Sequence, residues 1–183
     1  MLLTKEQIAV RQLDAAIRLL FDAGDVVSVH TLAAAAAEVF QDLLGSKDIE
    51  SWKNRAVKAN PHLEEAEVHR ILTTAQNFFK HADRDPEATI TFEETDNDMI
   101  IMLAIAEYLE LLQDRNKNQT DTEMLSIPMS VFQFWFFAKR DDDPEIAPEL
   151  QAIAKDLFPG LKDQPRFEQM ALGSAFLCER EAD

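Results

Sequence analysis

The stretch TDNDMIIMLAIA, Thr95 to Ala106, is polar for one turn and then apolar on every side. A helix that is apolar all round has to be buried, so this segment is expected at the centre of a core. Its run from Met99 to Ala106 is far below the ~20 residues that a bilayer crossing needs. Thr95 and Asp98 stand at capping-box spacing, with Asp in place of the usual Glu, and predict the helix start. Strand-like alternation is scarce elsewhere, and helical periodicity dominates on both sides of this segment.

Upstream, Ile8, Leu13, Ile17, Leu20 and Phe21 mark an amphipathic helix that should stop near Gly24, a residue suited to a left-handed helix end. A second helix is expected after Ser28 as N-cap, with Val29, Leu32, Ala33, Ala36, Val39, Phe40 and Leu43 on one face and an end at Gly45. Its alanines, Ala33 to Ala37, make a second smooth side that places it inside a bundle. A third helix is expected over 48–58, before Asn60-Pro61, and a fourth over 64–81, before the turn Asp83-Arg84-Asp85-Pro86. Thr89 to Phe92 suits a short extended connector.

Downstream, the polar stretch Asn116 to Glu123 divides a main bundle of about 5–116 from a C-terminal helical extension of about 123–180. Ser126 and Pro128 open a helix reaching Lys139, and two more are expected over 147–158 and 166–178. The expectation is one all-α domain over 1–183, an up-and-down bundle of about seven or eight helices. Phe132, Phe134, Trp135, Phe136 and Phe137 crowd one segment and cannot share a single helical stripe. They serve either as core beneath the last helices or as the interface of a homodimer.

Composition removes several chemistries. The chain has 183 residues, 46% of them hydrophobic, and its four glycines stand alone, so there is no phosphate loop, dinucleotide fingerprint or nucleophile elbow. Cys178 is the sole cysteine, which leaves no intrachain disulfide or cysteine-rich zinc site and suits a reducing cytoplasm. The formal charge of −16 opposes general attraction to nucleic-acid backbones or anionic membranes, and neither a membrane nor DNA is an expected partner. Acidic and basic residues balance between Ser46 and Asp85, so a local anion site is permitted there. The acidic cluster Asp141-Asp142-Asp143 before Pro144 reads as a solvated linker.

Metal and cofactor chemistry finds little support. Val27, Ala59, Ala66 and Phe78 stand three residues before the four histidines, so the Glu-x-x-His pairs of di-iron bundles are missing. Glu65 and His69 supply too few zinc ligands, and no cofactor is expected. His81, Asp83 and Asp85 form the remaining metal alternative at a helix end.

The fourth helix carries the functional reading. Val68, Ile71, Leu72, Ala75 and Phe79 are its expected core face, and Glu67, Arg70, Thr74, Asn77 and His81 form a polar stripe beside it. Held in a bundle groove, that stripe would line up a carboxylate, a guanidinium, an amide and an imidazole. Lys80, His69 and Gln76 are expected toward solvent. His30 is expected buried near Ala34 and Ala37, sharing the groove with His81 and bonded to Asn77, Thr74 or a backbone carbonyl.

Gln76-Asn77-Phe78-Phe79-Lys80-His81 resembles the Arg-Asn-x-x-x-His element of the HEPN superfamily, small all-α proteins that include RNA-cleaving toxins of bacterial defence and toxin–antitoxin systems. The likeness spans about residues 8–115, and Ala75 to Pro86 is also similar to a block in bacterial proteins of no assigned activity. In that superfamily, arginine and histidine of two protomers meet at a dimer interface and cleave RNA without metal. Asn77 and His81 match the motif and would carry the site, with His81 as general acid or base. Gln76 replaces the arginine, which removes the cation that stabilises the transition-state charge. Arg70 and Arg84 are nearby cations off the motif spacing. The resemblance therefore implies an RNA- or partner-related role, with cleavage in doubt. The other reading is a noncatalytic protein-interaction or small-ligand-binding bundle, in which His30, Arg70, Thr74 and Arg84 would bind the ligand.

Overall fold

The computed structural model describes residues 1–81, 83, 85–117, 123–140 and 143–182. These residues form eight α-helices: α1 (Lys5–Phe21), α2 (Val26–Gly45), α3 (Trp52–Ala59), α4 (Glu65–Lys80), α5 (Asp96–Asn116), α6 (Ile127–Lys139), α7 (Pro148–Leu157) and α8 (Arg166–Ala182). A 3₁₀ turn covers Leu161–Asp163, and there is no strand among the described residues. Thr89 to Phe92 is an irregular connection. None of the described helices is long and apolar enough to cross a membrane.

Local chemistry explains the ends, with two changes from expectation. The left-handed residue after α1 is Ala23, at φ 52°, and not Gly24. The Ala23 and Gly24 amides donate to the Leu20 and Leu19 carbonyls at 3.1 and 2.7 Å, closing a Schellman motif. Gly24 is needed for closeness, because a Cβ there would lie 2.9 Å from the Leu19 oxygen. At α2 the cap is Asp25, whose carboxylate accepts from both the Ser28 amide (2.8 Å) and the Ser28 hydroxyl (2.7 Å). Ser28 is thus inside the helix, and the longer-reaching carboxylate takes the cap.

The core forms where α2 packs along both α1 and α5. Leu13 and Ile17 of α1, Phe40 and Leu44 of α2, and Ile101 and Ile105 of α5 are shut off from solvent. Ala33, Ala34, Ala36 and Ala37 are all buried, which keeps α2 slim enough to have neighbours on several sides. The C-terminal helices complete the same core. Phe132 and Trp135 are fully buried, with ring centroids 6.2 and 5.3 Å from that of Phe21. Gly173 lets α8 close over Phe21, since a Cβ would sit 2.3 Å from that ring. Phe136 and Phe137 are buried too, and Phe134 is half-buried, so the aromatic segment is core.

The expected Thr95 capping box does not form; Thr95 makes no side-chain cap bond. Asp98 is drawn instead into a buried charge cluster. Arg166 of α8 donates to both of its oxygens, at 2.8 and 2.9 Å, and Lys139 of α6 donates to it as well. Lys139 and Arg166 lie over the Trp135 ring, at 4.3 and 5.2 Å respectively, while the indole N–H donates to the Gln169 carbonyl at 2.7 Å. Two cations on one carboxylate outweigh the cap that Thr95 offers, because an unpaired buried charge costs more than an unmade cap.

A second buried acid, Glu107, accepts the backbone amides of Trp52 and Lys53 at 2.9 and 3.2 Å. It thereby holds the N-terminus of α3 against α5. Burial pushes the Glu107 carboxyl up, and the two amides pull it back. The expected boundary at 116–123 is pinned at its described ends, where Asn116 exchanges hydrogen bonds with Glu123 at 2.9 and 3.0 Å; residues 118–122 lie outside the described residues. Asp141 and Asp142 lie outside them as well.

Candidate functional site

The site is defined by how loosely α4 sits. Within α4, only Val68 is buried, whereas Ile71 is 56% and Leu72 37% exposed, and Ala75 and Phe79 are half-buried. The expected core face is thus largely uncovered. The reason lies on α2, which offers Ala34, Ala37, Glu38 and Gln41 to α4 and so has no large apolar knob to fill the gap. Met99 on α5 is correspondingly 51% exposed, so that helix is not covered on all sides either.

Two pockets result. The polar one, of about 160 Å³, lies between α4 and α2 and is lined by Gln76, Asn77, Lys80, His81 and Lys53 around Glu38. Gln76 and Lys80, expected toward solvent, both reach the Glu38 carboxylate, at 2.9 and 3.3 Å. Lys80 stays exposed as expected and Gln76 is half-buried; the Glu38 carboxylate on α2 gathers both at the surface, which the periodicity of α4 alone does not register.

The expected polar stripe is exposed. Asn77 donates to the Thr73 hydroxyl at 3.0 Å, Thr74 donates to the Arg70 carbonyl at 2.6 Å, and the Arg70 guanidinium stands 3.9 Å from Glu67. These are contacts within one helix, and among the described residues no hydrogen bond from another helix reaches Arg70, Thr74 or Asn77. His81 ends α4 with its Nδ1 3.9 Å from Asp83. Arg84 lies outside the described residues. Among the described residues no group of three or more His, Cys, Asp and Glu side chains converges as a metal site, so His81, Asp83 and Asp85 do not form one.

The second pocket is larger, about 400 Å³, and mostly apolar. Ile71 and Ala75 of α4, Met99 and Leu103 of α5, and Ile90 and Phe92 of the connection wall it, with His30 among them. Leu72, Ile100 and Leu103 border both pockets and form the partition, so His30 and His81 do not share one groove. Phe79 and Phe92 meet the His30 ring edge-on at 5.5 and 5.0 Å, and each other at 5.3 Å.

His30 is buried as expected, but its partner is Asn97. The Asn97 amide nitrogen donates to the Val26 carbonyl at 3.0 Å, which turns its oxygen toward His30 Nδ1, 3.2 Å away. Nδ1 must then carry the proton, and Nε2 is the ring atom left as an acceptor. Burial pushes the imidazole below the ordinary histidine value; the bond to Asn97 and the Asp96 carboxylate pull it partly back. His30 is therefore a neutral, oriented acceptor on the wall of an apolar pocket. Asn97 carries no functional signal in the sequence, and only the packing of α5 on α2 reveals its use.

Among the described residues neither His30 nor His81 has a carboxylate at hydrogen-bond distance to tune it as a general base. Compared with known proteins, the chain matches no protein-family model, no curated protein and no solved structure.

Proposed function

We propose that this chain is a noncatalytic binding protein that takes a small, largely apolar ligand in the pocket beneath α4. The observation that carries this reading is the pocket itself: about 400 Å³ of mostly apolar space, roofed by a helix with one buried side chain. That size falls within the ~300–1,000 Å³ range of small-molecule sites. A roof with so few buried contacts opens at little cost, which gives a ligand its way in. The test is uptake of Nile red, a neutral dye that has no hydrogen-bond donor. Saturable one-to-one fluorescence enhancement is expected, and Ala75→Trp, which fills the pocket from α4, should abolish it while leaving the unfolding midpoint in place. Absent uptake, or equal uptake by the filled variant, overturns the reading.

A second reading, a HEPN-like protein with an RNA- or partner-related role in defence or toxin–antitoxin systems, draws support from Asn77 and His81 lining one pocket beside Lys53 and Lys80. Glu38 within the same pocket works against a phosphate there. Metal-independent RNA cleavage that persists in chelator and disappears in His81→Ala would favour it, and an inactive wild type would remove it.

A further inference from the structure

The pocket beneath α4 has a polarity that its volume alone does not convey. His30 Nδ1 is committed to Asn97, and Asn97 is committed to Val26, so the imidazole cannot turn its tautomer to suit a ligand. The Thr74 hydroxyl proton, at the edge of the pocket, is spent on the Arg70 carbonyl. Asp96 borders the pocket and accepts the Glu93 amide at 3.2 Å. These three side chains present acceptors, the exposed Thr91 hydroxyl on the rim can donate or accept, and a ligand that is itself an anion meets the Asp96 carboxylate. A cation would have to leave water for walls made of Ile71, Ile90, Phe92 and Met99. The Phe92 ring, with Phe79 behind it, and the thioether of Met99 favour a π-face over a bulky aliphatic group.

We infer that this pocket selects neutral aromatic molecules bearing one N–H or O–H donor, of the indole and phenol class, and that His30 Nε2 receives the donor. The inference rests on the binding reading above and narrows it. A site that offers a hydrogen-bond acceptor binds a matched analogue without a donor more weakly, since the buried acceptor is then left unpaired; a larger donorless dye still binds through its greater apolar contact.

The experiment is displacement of Nile red from the wild-type protein by indole and by 1-methylindole, which lacks the donor. Indole should compete at least about tenfold better. In His30→Phe, which keeps a ring but has no acceptor, the two should compete within about twofold. Should that variant fail to fold, the ¹⁵N resonances of the wild-type imidazole decide. Indole should move His30 Nε2 and leave Nδ1 in place, and 1-methylindole should leave both. Equal displacement by the two compounds, displacement by neither, or an unmoved Nε2 overturns the inference, and dye uptake still leaves the pocket standing. A wild type that takes up no dye overturns both.

Discussion

The seam where α6 and α8 close on α1 and on Asp98 of α5, and the seat of α4 on α2 and α3, are both helix packings with charged residues at their edges, yet they are finished differently. The seam is filled where it meets α1 and the first turn of α5: Trp135 is fully buried, Gly173 admits Phe21, and Asp98 answers two cations at once, while farther along α5 and α6 a pocket of about 500 Å³ beside Met102, Leu109 and Phe137 stays open. The seat is bordered by two pockets, its cross-helix polar contacts gather on the exposed Glu38, and Val68 is the one buried side chain that α4 contributes. The contrast teaches that hydrophobic periodicity does not guarantee burial. A face is covered only where the opposing helix supplies matching volume, and alanines opposite α4 do not.

The largest test of this contrast is Asp98→Ala. It leaves Lys139 and Arg166 without their shared anion, and a loss of about 3–5 kcal/mol is expected in denaturant unfolding. Retention of nearly full stability would mean that the seam holds by apolar packing alone. A smaller and local effect is expected at Val68→Ala. Native-state hydrogen exchange should show α4 amides opening more readily by about 1–2 kcal/mol, with those of α1 and α6 unchanged. In the wild type, α4 should already exchange well before α2, and equal protection would erase the distinction between the two regions. The smallest effect is expected at Asn77→Ala and His81→Ala, each within about 0.5 kcal/mol of wild type in thermal unfolding. Their contacts are within α4 or at its end, so a marked loss would show a buried network on that stripe after all.

Much of the fold is legible in the chain. The helices at 5–21, 26–45 and 65–80 lie close to the segments read from periodicity, because Gly24, Gly45 and the prolines interrupt a local pattern. Capping is legible in kind and less so in detail. Asp25 takes the place expected for Ser28, and Asp98 leaves its expected cap, since a carboxylate reaches further and distant cations compete for it. The site is less legible. His30 reads as a buried histidine needing a partner, and it is one, but Asn97, Phe79 and Phe92 become its neighbours only when α2, α4 and the connection before α5 meet.

What the sequence by itself determined is the helical class and the approximate helix boundaries, which follow from interactions within a few residues along the chain. What only the tertiary structure decided is which face of α4 is covered, what Gln76 and Lys80 bond to, and the tautomer that Asn97 imposes on His30. Those depend on side-chain volume and charge supplied by helices far away in sequence, and a helical period carries no record of what stands opposite it.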